Sequence, residues 1–281
     1  MDIICRSAIK LALREDLGDG DITSRLIVPG KLTGSADVVA KSAGILSGSQ
    51  AFEYVYRLVD RKVSVRFYVR DGEPVSKWMK IARISGPARS LLTGERLALN
   101  LLCRLSGVAT LTSEYVKRIK QTRVRILDTR KTTPALRWLE KKAVVDGGGK
   151  NHRFGLYDMI LIKDNHVAAA GGIGPALAKT RGARRKVEIE VGNLAELTEA
   201  LQYEPDIIML DNFSLAMIRK AVKQIRRTSK KIKIEVSGGV TLDSVAEIAD
   251  CGVDYISVGA LTHSAPIVDF SLEYDDRLSR G

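Results

Sequence analysis

The second half of the chain alternates two hydrophobic periods, and this alternation restricts the fold more than any other feature. Beyond Arg123 six short apolar runs appear: Val124–Leu127, Met159–Ile162, Val187–Val191, Ile207–Leu210, Ile232–Val236 and Tyr255–Val258. Helical spacing separates most of them, over Pro134–Val145, Leu194–Gln202, Leu215–Ile225 and Leu242–Ala249. Strand–helix–strand repetition implies parallel pairing through right-handed crossovers. Six such units suit either an open doubly wound sheet or a closed barrel, and periodicity alone does not separate the two.

The residues after each run point to chemistry. Asp128-Thr129-Arg130-Lys131 follow the first run and Lys163-Asp164-Asn165-His166 the second. The third carries Glu188 and Glu190, which alternate to the same face. The fourth ends in Asp211-Asn212, the fifth in Ser237-Gly238-Gly239, the sixth in Gly259-Ala260. Carboxyl ends of consecutive parallel strands converge on one rim, and barrel enzymes place their sites there. One polar strand end is noise; six in series are a signal. Between the first two runs lie Gly147-Gly148-Gly149 and then His152-Arg153. Arg130, Lys131, His152, Arg153 and Lys163 beside glycines suit an anionic ligand with several charged groups, because Arg forks bind carboxylate or phosphate and glycine lets the backbone approach.

The amino-terminal part reads differently. Residues 1–17 form an amphipathic helix without the continuous apolar core of a signal peptide. Residues 15–30, rich in Gly and Asp, read as an ordered loop, and residues 33–41 and 63–70 as strands. Turn and strand follow over 71–84. From about Leu91 to Ile119 the spacing of Leu97, Leu101, Leu105 and Val108 predicts a helix, with Ser106-Gly107 as a break or a close contact. Lys77, flanked by Gly72 and Gly86, reads as an exposed turn lysine, since no Met-Lys-Met-like triplet marks a lipoyl site. Arg96, taken alone, reads as a surface residue.

Length and charge bound the rest. A chain of 281 residues holds one large domain or two modest ones. The net charge of +12 admits nucleic acid, anionic membrane or anionic metabolites as partners, but aromatics at 5% leave few stacking platforms for single strands. No apolar run approaches a membrane span. Cys5, Cys103 and Cys251 are odd in number and far apart, which excludes a zinc or dithiol motif and favours a reducing cytoplasm.

Taken together, nine segments resemble the quinolinate phosphoribosyltransferase family: EDLGDGDITS at 15–24, ERLALNLLCRLSGVAT at 95–110, DTRKTTPALR at 128–137, GGGKNHR at 147–153, IKDNH at 162–166, EIEV at 188–191, MLDN at 209–212, SGG at 237–239 and ISVGALTHS at 256–264. The resemblance spans nearly the whole chain in one order. It implies an α/β fold, with a partly open (β/α) barrel of about six parallel strands over 109–265, an N-terminal α/β sandwich over 1–108, and a tail over 266–281 that returns to the sandwich. It implies a pentosyltransferase that joins quinolinate to phosphoribosyl pyrophosphate with loss of CO2, giving nicotinate mononucleotide and pyrophosphate, with Mg2+. It implies that Arg130, Lys131, Arg153 and Lys163, aided by Thr129 and His152, hold quinolinate, and that Arg96 joins them from the partner subunit of a homodimer able to assemble further. Glu190 and Asp211 face the ribose hydroxyls and the Mg2+-bound pyrophosphate, touching the metal directly or through it. Ser237, Gly238, Gly239, Val258, Gly259 and Ala260 cradle the 5′-phosphate. Lys131, Lys163, Glu190 and Asp211 carry the catalysis. Neither nucleic acid nor membrane is an expected partner. Two residues depart from the family pattern: Ala135 stands where glycine is usual after Thr-Thr-Pro, and Cys103 where a polar residue is common. Local backbone adjustment is the expected consequence.

Two rivals stand against this reading. A relative encoded with molybdenum genes would share the fold, but the complete TRKT, NHR and KDNH set argues against it. A nucleic-acid module rests only on the charge.

Overall fold

The computed structural model of the chain describes residues 1–275. Of the tail expected over 266–281, residues 276–281 lie outside the described residues. The strands are β1 (Thr33–Ala40), β2 (Gly44–Ile45), β3 (Ser64–Phe67), β4 (Pro74–Val75), β5 (Lys80–Pro87), β6 (Arg125–Leu127), β7 (Ile160–Ile162), β8 (Val187–Val191), β9 (Ile207–Asp211), β10 (Lys233–Ser237), β11 (Tyr255–Ser257) and β12 (Phe270–Tyr274). The chain divides into two compact units. The first comprises Met1–Ser113, Thr132–Gly148 and the residues from Ala260 onward; the second comprises Glu114–Lys131 and Gly149–Gly259.

In the first unit an antiparallel sheet has the order β12-β1-β5-β3. β1 lies inside this sheet and is buried along nearly its whole length. Helix Ser49–Val59 buries Ala51, Phe52, Val55 and Tyr56, and the Phe52 ring meets Phe67 of β3 edge-on at 5.6 Å. The stretch read as an ordered loop contains a helix, Ile22–Ile27, started by Asp21, whose side chain accepts the Ser24 N–H at 2.9 Å. Six residues that bury only Ser24 leave no apolar period to read.

Helix Ala88–Arg118 runs unbroken through Ser106-Gly107. Gly107 is a close contact: a Cβ there would stand 1.9 Å from the Pro266 carbonyl oxygen. The Arg104 guanidinium, one turn earlier, donates to the carbonyls of Thr262 and Ala265 and to Glu140. These contacts fix the segment leading into β12.

The second unit is a parallel sheet of order β6-β11-β10-β9-β8-β7. From β7 to β11 each strand lies beside its sequence neighbour, always on the same side. A doubly wound sheet reverses direction at a switch point, and this one does not. β6, first in sequence, lies beside β11, the last. That is the cyclic order of a barrel whose ladder is interrupted between β6 and β7. Lys150 covers the free side of β6: its N–H donates to Ile126 at 2.8 Å and its carbonyl accepts from Asp128 at 3.2 Å. The strands read as continuous apolar runs because such sheets are covered on both faces; Ile207–Leu210 is wholly buried. The crossover helices are capped by side chains. Asn193 accepts from Ala195 and Glu196 to start Leu194–Leu201, and Ser214 accepts from Met217 to start Leu215–Thr228. Helices Asp164–Ala170 and Ile173–Ala178 between β7 and β8 are too short to have been read from spacing. No helix of the described residues is long and apolar enough to cross a membrane.

Ala135 does not adjust. It keeps the left-handed conformation that glycine takes freely, at φ 62, with its side chain exposed and its carbonyl accepting the Cys5 thiol at 3.2 Å. A Cβ there costs about 1–2 kcal/mol, which the flexibility of glycine in the unfolded chain offsets in part. Ala135→Gly should therefore raise the thermal midpoint by about 1–3 °C, measured by scanning calorimetry. A lower midpoint would mean that the conformation carries no strain.

Candidate active site

The second unit gathers most of the expected residues at the carboxyl ends of its strands. Thr129, Arg130 and Lys131 follow β6. The half-buried Thr129 hydroxyl accepts the Lys131 N–H at 3.0 Å, and this tight turn leaves Arg130 and Lys131 exposed. Lys163 follows β7 and donates to Glu190 Oε2 of β8 at 2.7 Å. Asp211 ends β9 and accepts from the Asn212 side-chain amide at 2.7 Å. Glu190 thus already faces an ammonium, whereas Asp211 faces a neutral amide.

Ser237 ends β10 and is tied to the end of β9, because its carbonyl accepts the Asn212 N–H at 2.9 Å. Gly238 and Gly239 follow with φ 92 and 62. A Cβ on Gly238 would stand 2.2 Å from Asn212 Oδ1, so only glycine permits this approach. Consecutive left-handed residues turn backbone N–H groups into a concavity suited to an anion. Val258 and Gly259 extend β11, and the Val258 N–H donates to Leu127 of β6 at 3.0 Å. Arg96 and Ala260 belong to the first unit. Arg96 lies on helix Ala88–Arg118, exposed, 3.8 Å from Glu95; Ala260 opens helix Ala260–His263.

His152 and Arg153 follow the Lys150 bridge. The His152 N–H donates to the buried Asp128 carboxylate at 2.9 Å. The ring turns inward: Nε2 lies 3.0 Å from Glu188 Oε2 and 3.6 Å from Glu235 Oε1, while Nδ1 accepts the Arg153 N–H at 2.7 Å. Contact with both β8 and β10 from a segment bridged to β6 places this ring inside the barrel. The Arg153 guanidinium donates through Nη1 to the Met159 carbonyl at 3.2 Å, but its buried Nε has no hydrogen-bond partner within the chain. Burial, and after it the charge of Arg130, draw this guanidinium below its ordinary range. A half-buried cation next to a second cation, with a buried donor left over, is an incomplete arrangement that an anion completes.

Glu188 and Glu235 went unassigned in the sequence. Neither is exposed to solvent. Glu235 Oε1 accepts from the Ser257 hydroxyl at 2.5 Å; Glu188 Oε1 and Glu235 Oε2 accept from no donor in the chain. Burial pushes Glu188 up to about 7, against the pull of Arg153 and Lys163 and with the push of Glu190. Burial and then the charge of Glu188 push Glu235 up to about 8. Burial thus holds both carboxyls well above the ordinary carboxylate range. The signal for both residues was present in the sequence as carboxylates inside apolar strands, Glu188 alternating with Glu190 in β8 and Glu235 alone in β10.

A carboxyl whose pKa is raised by folding stabilises the fold fully below its unfolded value, near 4.5, and loses that contribution as pH rises through the folded value. The thermal midpoint should fall between pH 5.5 and 8.5, and Glu188→Gln should flatten that fall. Equal slopes for both proteins would mean that the pair is already ionised in the fold.

Comparison with known proteins agrees with the geometry. Residues 21–106 match the quinolinate phosphoribosyl transferase N-terminal domain and residues 108–273 its C-terminal domain. The chain is similar to the probable nicotinate-nucleotide pyrophosphorylase (carboxylating) of Bacillus subtilis, at 45% identity over 92% of this chain and 89% of the relative. It is similar to a mitochondrial quinolinate phosphoribosyltransferase (decarboxylating) of Nicotiana tabacum, at 40% identity over 98% of this chain and 83% of the relative. Among solved structures, the nicotinate-nucleotide pyrophosphorylase of Francisella tularensis superposes with a TM-score of 0.91 at 40% identity, covering 97% of this chain and 96% of that one.

Proposed function

The chain belongs to the quinolinate phosphoribosyltransferase family, and from that premise we propose how its residues carry the reaction, in which quinolinate takes the phosphoribosyl group of phosphoribosyl pyrophosphate and loses CO2 to give nicotinate mononucleotide for NAD biosynthesis. The observation that carries the assignment is Arg153, whose buried Nε lacks a partner beside Arg130. Quinolinate brings two carboxylates. Arg130 and Arg153 offer planar forks for them, with Lys131 and Lys163 as point charges and Thr129 at the turn. Ser237, Gly238, Gly239, Val258, Gly259 and Ala260 supply the phosphate cradle, supported by the left-handed glycines at the end of β10.

The pyridine nitrogen attacks the anomeric carbon as pyrophosphate leaves, and positive charge develops on the ribose. Glu190 and Asp211 face that charge. The new pyridinium accepts the electron pair released when the adjacent carboxylate departs as CO2, and a proton takes its place. Asp211 offers hard oxygens with only an amide donor beside them, which suits Mg2+; Glu190, already bound to Lys163, suits it less directly. When bound with pyrophosphate, Mg2+ neutralises the departing charge. We place the protein in the cytoplasm, supported by three free cysteines, and set the domain division at 108, supported by the family match that breaks between 106 and 108.

The reading is tested by incubating the protein with quinolinate, phosphoribosyl pyrophosphate and Mg2+, and following nicotinate mononucleotide. Arg153→Lys, which keeps the charge and loses the fork, should raise the quinolinate KM by about 10–100-fold. Asp211→Asn should weaken phosphoribosyl pyrophosphate while calorimetry still detects quinolinate. Equal loss of both ligands would contradict that division of labour.

We further propose a homodimer, able to assemble further, in which Arg96 serves the neighbouring subunit's site. Arg96→Ala and Lys163→Ala, each nearly inactive alone, should then complement after subunit exchange. Half of the dimers would be mixed, each with one good site, so about a quarter of all sites should recover. No recovery after exchange verified by mass spectrometry would place Arg96 in its own chain's site or in the fold alone.

A further inference from the structure

Glu188, Glu235 and Ser257 lie buried inside the barrel, and the reaction described above uses none of them. We propose that they are positioning residues that hold the His152 imidazole as its Nε2–H tautomer, so that Nδ1 fixes the main chain of Arg153 and with it the guanidinium that receives a quinolinate carboxylate. The geometry rests on hydrogen bonds within the chain; the functional consequence rests on the quinolinate reading.

The two ring nitrogens have separate tasks. A backbone N–H can only donate, and that of Arg153 lies 2.7 Å from Nδ1. Nδ1 therefore accepts, and the neutral ring carries its proton on Nε2. Nε2 faces two carboxylates, Glu188 at 3.0 Å and Glu235 at 3.6 Å. The Ser257 hydroxyl donates to Glu235 Oε1, the oxygen that the ring approaches. Asp128 holds the His152 backbone. The ring is thus hydrogen-bonded to Glu188 of β8 and stands 3.6 Å from Glu235 of β10, which Ser257 ties to β11, while the next residue bears the guanidinium.

Two other roles for the cluster fail on the same geometry. His152, Glu188 and Glu235 bring ligand atoms within 4.8 Å of one another, as a metal site would. A metal needs an imidazole lone pair, and here Nδ1 commits its own to Arg153 while Nε2 carries the proton. Direct contact between the ring and quinolinate meets a similar obstacle. Both nitrogens are engaged within the chain, and the side chain is only 8% exposed. The same geometry turns His152 from a contact of the substrate into the element that places one.

The tautomer can be read without substrate. The chain has three histidines, so long-range 1H–15N spectra can assign each ring. An Nε2–H ring at His152 is expected, and an Nδ1–H ring overturns the proposal. Kinetics then separate positioning from packing. Glu188→Met keeps the length and removes the acceptor. It should raise the quinolinate KM about tenfold, as loss of an orienting partner does elsewhere, and leave the phosphoribosyl pyrophosphate KM and the thermal midpoint nearly as they were. Glu188→Gln, whose amide oxygen still accepts from Nε2–H, should recover most of the affinity. A folded Glu188→Met protein with unchanged quinolinate KM overturns the proposal, since a packing role predicts that result. Should Glu188→Met fail to fold, Ser257→Ala removes one hydroxyl and should raise the same KM several-fold; an unchanged value there counts equally against it. A wild-type protein that forms no nicotinate mononucleotide refutes the quinolinate reading alone, and the tautomer still decides the network.

Discussion

Two carboxyls without solvent exposure stand inside a six-stranded barrel, and the rest of the site is built on how their charge is managed. Two bare carboxylates in a low dielectric would be prohibitively costly; burial raises the pKa of both, and a serine hydroxyl and an imidazole nitrogen attend them. Their supports come from β8, β10, β11 and the segment after Lys150. The residues proposed for catalysis and binding sit just above those supports. Glu190 is two residues beyond Glu188, Ser237 two beyond Glu235, Gly259 two beyond Ser257, and Arg153 adjoins His152. In a strand, two residues onward means the same face, one layer nearer the rim. The buried layer is thus the floor on which the reactive layer is registered.

Above that floor the balance reverses. Arg153 and Arg130 repel each other, and a guanidinium donor remains unused. Lys163, by contrast, already has Glu190. The site therefore combines a cationic corner with a buried donor still unused and a neighbouring pair that is internally neutral. An incoming dianion gains most at Arg153, whose buried Nε still lacks an acceptor. The rim pair can exchange partners at lower cost.

The architecture was largely legible because parallel strands covered on both faces must be apolar throughout, and their ends must not be. Six apolar runs and their polar sequels marked the strands and the rim residues. Strand order was not legible, since hydrophobic period says nothing about which neighbour a strand takes; only the pairing of β6 with β11 separates barrel from open sheet. Short helices such as Ile22–Ile27 escaped because one or two turns leave no period. Gly107 was ambiguous for a different reason. Both a helix break and a close approach call for glycine, and only the partner, Pro266, tells them apart. The inward turn of the His152 ring was hidden too, because a histidine among cations looks the same whether it faces a ligand or a buried carboxylate.

The pairing of β12 with β1 joins Ala36 to Tyr274 and Ala40 to Phe270. Almost the whole polypeptide lies in the loop so closed, which makes this the most entropically demanding contact of the sheet. During synthesis β1 emerges early and must wait, with one ladder unsatisfied, until β12 leaves the ribosome. The barrel strands, all earlier in sequence than β12, can pair in the meantime. A chain that terminates prematurely after the barrel would retain that half and expose a long, buried-type strand as an open edge, the kind of edge that recruits other chains. The amino-terminal sheet is in this sense complete only once Phe270–Tyr274 is made.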